Sequence, residues 1–155
     1  MKDIKEVLDE LKGIYLSNPE ISVSEAEGHI VVKHFHSPSQ SIITQIVPER
    51  LGYVLIMIFP VGAEAGKAAF ATGINTINKK IVSGCFVVDD DGQLLYKNFI
   101  PFHADVSGKD IASAITIGFG TFMESLYEIG QILRPLSGIK DSEFIITDVE
   151  EGEAR

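Results

Sequence analysis

The sequence predicts an α+β fold, an antiparallel sheet with packed helices in the order α-β-β-β-β-α-β-β-α. Three observations carry that reading. Segments with helical apolar periodicity stand before, between and after runs rich in Ile, Val and Phe. Those runs are joined by turns such as Glu27-Gly28 and Asp89–Gly92, which are far too short for a parallel crossover. At 155 residues, the chain is also long enough to bury a core as one domain with helices layered on the sheet.

The elements follow in order. Ile4, Val7, Leu8, Leu11 and Tyr15 fall on one stripe of a first helix, which Asn18-Pro19 should stop. Two strands, Ile21–Ala26 and His29–His36, flank the Glu27-Gly28 turn, and Ser37-Pro38-Ser39 bounds the pair. Ser41–Val47 and Tyr53–Phe59 read as the third and fourth strands, split by a turn at Pro48–Gly52. A second helix is predicted over Ala63–Lys80, with Phe70, Ile74, Ile77 and Ile81 as its stripe. The rest of that helix is small (Ala65, Gly66, Ala68, Ala69, Ala71, Gly73). Interior glycine costs roughly 0.5–1 kcal/mol against alanine, so these glycines point to close backbone packing.

Two more strands, 83–89 and 93–100, enclose Asp89-Asp90-Asp91-Gly92. The last helix has a strong start signal: Ser107 as N-cap, Asp110 three residues on, and Val106 placed to staple onto Ile111. It should run from Gly108 to Leu133 and stop before Pro135. These boundaries give a single domain over 1–134 and an acidic extension over 135–155, in which Phe144–Thr147 has the composition of a short strand.

Composition excludes several function classes. Apolar residues make up 45% and charged residues 23%, values of a globular protein. The net charge of −9 would repel nucleic-acid phosphates. From Asp141 to the end, Asp141, Glu143, Asp148, Glu150, Glu151 and Glu153 against Arg155 carry −5 of that total. One cysteine, Cys85, fits a reducing compartment. The N-terminus is charged from Lys2 onward and lacks an apolar signal core. The densest apolar run, Val54–Val61, falls short of the roughly 20 residues that a bilayer requires. Glu124 and Glu128 interrupt the apolar course of the last helix. A cytoplasmic protein with neither membrane nor nucleic acid as partner is expected.

Each candidate for chemistry has a structural alternative that fits its neighbours better. A calcium loop with Gly92 as its sixth residue would need acidic ligands where Val87 and Asn98 stand, so Asp89–Gly92 reads as a hairpin turn. His34 and His36 share a strand face, but neither they nor His29 and His103 join a cysteine or glutamate at zinc-ligand spacing. Cys85, beside Phe86 and Val87, reads as a small core residue, with nothing near it to lower a thiol pKa. Gly118-Phe119-Gly120 lies within a helix rather than a phosphate loop and suits close helix packing. There is no G-x-S-x-G, P-loop or C-x-x-C motif. The sequence therefore predicts no catalytic residue, cofactor or metal.

Apolar surplus stands out instead. Tyr53–Phe59 is apolar on both strand faces, Val54, Ile56 and Ile58 on one and Tyr53, Leu55, Met57 and Phe59 on the other. The last helix is apolar well beyond one stripe, through Ile117, Phe119, Met123 and Tyr127 among others. Either one subunit covers this surface itself or it forms a dimer or partner interface. The expected interface residues are Tyr53, Leu55, Met57, Phe59, Ala65, Ala68, Ala69 and Thr72. The partner would be a second copy in a homodimer, or a protein or peptide.

The segment INTINKKIVSGCFVVDDDGQLLYKNFIPF (Ile74–Phe102) resembles the YbjN-type family of bacterial sensory-transduction regulators. The resemblance lies in Ile74-Asn75, Ile77-Asn78, Gly84, Phe86, the acidic turn Asp89–Gly92 and Pro101, and extends loosely over Met1–Leu133. Arginine, frequent in such chains around this helix and strand, is absent here. The resemblance implies a fold similar to that of type III secretion chaperones, which dimerise and bind extended partner segments. It thus implies a non-catalytic binding or chaperone-like regulator. The alternative is a small-molecule-binding or enzymatic domain using a pocket under the sheet.

Overall fold

The computed structural model describes residues 3–37, 40–59, 68–101 and 106–137. It is α+β, with one six-stranded antiparallel sheet and three helices in the predicted order. The first helix, α1, spans Ile4–Ile14 and buries Val7, Leu8 and Leu11. Asp3 caps it, accepting from the Lys5 N–H while Glu6 accepts from the Asp3 N–H, a capping box. The helix ends one turn before Asn18-Pro19, because the Leu16 N–H turns to Gly13 and the Asn18 N–H to Tyr15.

Strands β1 (Ile21–Ala26), β2 (His29–Ser37), β3 (Gln40–Glu49) and β4 (Gly52–Phe59) form a meander of successive hairpins. Glu27 and Gly28 both take positive φ, at 54° and 80°, the mirror-image turn that matches strand twist. Pro48 sits in β3 beyond the last pair with β2, Ile30 with Ile46, so its missing N–H breaks no ladder bond. The chain then passes through α2 (Ala68–Asn78) to β5 (Cys85–Val88) at the sheet edge. Strand β6 (Leu94–Pro101) returns between β4 and β5, giving the order β1-β2-β3-β4-β6-β5.

The β5–β6 connection answers the question of the three aspartates. The Gly92 N–H donates to the Asp89 carbonyl and the Asp89 N–H to the Gln93 carbonyl, both at 3.0 Å, with Gly92 at φ 76°. The Asp89 carboxylate accepts from the Asp91 N–H at 3.0 Å and the Gln93 N–H at 2.8 Å. It braces the turn from inside, as such side chains do.

The final helix, α3, runs Gly108–Ser137. The Asp110 N–H donates to the Ser107 hydroxyl while the Asp110 carboxylate accepts from the Ser107 N–H, as predicted. Glu10 of α1 also accepts from the Gly108 N–H, setting a carboxylate at the positive end of α3. The helix does not stop before Pro135. In its last turn, proline removes only one backbone bond, and three residues assigned to the extension belong to α3. Residues 138–155, including Phe144–Thr147, lie outside the described residues, as does the predicted start of α2 over Ala63–Lys67.

Asn78 holds the free edge of the sheet. Its Nδ2 donates to the Phe86 carbonyl at 2.8 Å and its Oδ1 accepts from the Phe86 N–H at 2.7 Å. One amide thus stands in for a missing strand. Replacing Asn78 with alanine leaves both Phe86 groups unpaired and should cost about 2 kcal/mol in urea unfolding. A loss under about 0.5 kcal/mol would show that water substitutes for the amide. At the turn, Asp89→Ala should cost about 1 kcal/mol. The double change Asp89→Asn, Asp90→Asn keeps the acceptor and should stay within about 0.5 kcal/mol of the parent.

Candidate functional site

Strand pairing divides the sheet into two unlike faces. On one, Ile30, Ile46 and Leu55 align across β2, β3 and β4, as do Met57 and Tyr96 across β4 and β6. All five are buried in one core with Leu11, Phe70, Ile111 and Leu126 of the helices. On the other face, Gln45, Ile56, Lys97 and Cys85 form one row across β3, β4, β6 and β5. Around it stand Ile43, Val47, Val54 and Ile58, all half-buried, with Phe35 at 43% and Phe99 at 48% exposure. Leu95 and Gly52 of this face are buried among their neighbours. Lys33, on the same face, lies 5.9 Å from the centre of the Phe35 ring, a cation set beside an exposed aromatic ring.

The structure buries four of the eight residues expected at an interface. Tyr53, Leu55, Met57 and Phe59 are at most 3% exposed, because α1 and α3 cover their face of β4. The uncovered residues are Val54, Ile56 and Ile58, on the opposite face of the same strand. Thr72 is exposed on α2; Ala68 and Ala69 belong to that helix but their side chains lie outside the described residues, and Ala65 lies outside them entirely. The polar residues that mark the solvent face were in the sequence: Gln45 and Lys97 pair with Ile56. Pairing register, not composition, picks the face.

The other candidates also find places. Cys85 is not a core residue: it is half-buried on the uncovered face of the edge strand β5. His34 turns to the core side and stacks on Phe119 of α3, ring centres 5.5 Å apart and 8° from parallel. The side chain of His36 and all of His103 lie outside the described residues. Among the described residues, no three His, Cys, Asp or Glu side chains converge as metal ligands. Gly118 permits close packing as expected, since a Cβ there would meet Met57 Sδ at 2.5 Å; Gly120 faces open space. No helix of the described residues is long and apolar enough to cross a membrane.

Two concavities lie away from the open face. One, of about 410 Å³, is a cleft between the turn after α2 and α3, bordered by the exposed Lys80–Glu128 ion pair at 3.2 Å. Such a pair adds little stability. The other, of about 130 Å³, lies between the helices and the sheet and is lined by Tyr15, His34, Thr44, Thr116 and apolar residues.

Burial lifts the phenols of Tyr15, Tyr53 and Tyr96 above their ordinary value of 10.0. For Tyr53 the Asp3 charge adds to the rise, and for Tyr96 burial outweighs hydrogen bonds that pull the other way. A raised folded-state value opposes ionisation in the fold, so the stability is complete below pH 10 and is lost as pH rises through the folded values. Tyrosinate absorbance should therefore titrate later in the native chain than in denaturant, with unfolding accompanying it. Coincident titrations in both states would contradict this burial.

Compared with family models, curated proteins and solved structures, the chain gives no match.

Proposed function

We propose that this is a non-catalytic binding protein that associates through the open face of its sheet, in the first instance with a second copy of itself. The observation that supports this is the uncovered row of Val54, Ile56 and Ile58, flanked by the exposed rings of Phe35 and Phe99. Six strands about 4.8 Å apart, with eight residues of β4 at about 3.4 Å each, make a face on the order of 650 Å². Two such faces exceed the roughly 1,000 Å² total of a specific interface. Sheets pack face to face with side chains interdigitated, and a two-fold axis closes the pair without leaving a new surface.

Strand addition at the β5 edge is the less favoured mode. Asn78 already occupies the Phe86 N–H and carbonyl that an added strand would use. A regulator of the YbjN type, binding partners in the manner of a secretion chaperone, would use the same apolar face. This reading agrees with the likeness carried by Ile74–Phe102.

Light scattering should give a dimeric mass at micromolar concentration, and Ile56→Lys should return a monomer with unchanged circular dichroism. Cys85 supplies a second readout because it lies on that face, across Lys97 from Ile56: its labelling by a thiol reagent should slow as protein concentration rises. A monomeric mass throughout, with concentration-independent labelling, would sink the self-association reading.

A further inference from the structure

The smaller concavity lies on the helix-covered side of the sheet, opposite the face assigned to association. Val32, Ile42, Thr44, Met57 and Ile115 line it and are buried. Tyr15, Ile21, His34, Thr116 and Phe119 are partly or fully exposed and form its rim. No carboxylate, lysine or arginine lines it. The parallel rings of His34 and Phe119 form one wall, joining β2 to α3.

Thr44 is the singular feature. It is 2% exposed, on a central strand, and among the described residues its hydroxyl makes no hydrogen bond. Buried polar side chains are normally paired, because leaving one unpaired is costly. A water in the cavity would need two to four polar partners. Thr44 is the only buried polar residue lining the cavity. The volume of about 130 Å³ is close to that of an apolar cavity able to hold a single benzene ring.

We propose that this cavity binds a small neutral ring compound of about the size of phenol, whose one polar group pairs with the Thr44 hydroxyl. The apolar floor takes the ring, and a buried lining that is apolar apart from Thr44 disfavours ionised ligands. The site is smaller than the several hundred cubic ångströms of a drug-sized pocket, which limits the ligand to a single ring. Its place on the helix side makes this reading independent of the association reading.

The test uses the full chain with phenol and benzene as probes, followed by the methyl resonances of Val32, Ile42, Met57 and Ile115. Phenol should shift these resonances saturably and bind about five-fold more tightly than benzene, the factor that one neutral hydrogen bond supplies. Thr44→Val should keep the fold, bind both probes and lose the preference. Thr116→Trp, at an exposed rim position, should block both probes without altering the melting temperature. Absence of saturable shifts in the millimolar range would overturn the proposal. So would an undiminished preference in Thr44→Val, or shifts confined to residues of the open face such as Val54 and Ile56.

Discussion

The close seating of α3 on the sheet at Gly118 governs the rest of the molecule. A Cβ at that position would lie 2.5 Å from Met57 Sδ and 2.8 Å from Tyr96 Cε1, so only glycine lets the helix axis come this near. Four residues on, Phe122 stacks on Phe59 with ring centres 3.8 Å apart and planes 7° from parallel. Phe86 meets both Phe59 and Phe122 at an angle, completing an aromatic cluster between the edge strand, the centre strand and the helix. With α3 fixed, the other helices have one place to go. Glu10 ties α1 to its N-terminus, and Gly73 brings α2 against Ile132.

Three helices on one face leave the other without cover among the described residues. An antiparallel sheet tolerates this when its outer face is polar. Here Lys33, Gln45 and Lys97 interrupt an apolar field across the middle strands, with His29, Ser41 and Glu49 on the same face toward the strand ends. That asymmetry is the physical basis for the association proposal. It also distinguishes the open face from the 130 Å³ cavity, which exists because the helices and sheet do not close fully above Thr44.

The segment Ile74–Phe102 is a device for finishing a sheet edge. Asn78 clamps Phe86 from the end of α2. Gly84, at φ 73°, lies where a Cβ would strike the Tyr96 ring, and the Tyr96 hydroxyl donates to the Ser83 carbonyl at 2.8 Å. The Asp89 turn then returns the chain to pair β6 between β5 and β4. Asp89, which looked like a candidate for chemistry, is spent on backbone groups of its own turn.

Local physics made much of this legible in advance. Apolar periodicity located all three helices and six strands, and the caps at Ser107 and the turns at Gly28 and Gly92 followed from residues that favour those dihedrals. The end of α3 did not follow, because a proline in a last turn is penalised by one bond only. The face of β4 that the helices cover was equally out of reach. Both faces of that strand are apolar, so composition is symmetric, and only pairing of Ile56 with Gln45 and Lys97 breaks the tie. The same limit put Cys85 in the core, when register places it opposite Lys97 on the open side. Sequence by itself determined the elements and their turns, which depend on near neighbours. Tertiary structure alone decided which face is left open and that Thr44 borders a cavity, since both depend on contacts between residues distant in the chain.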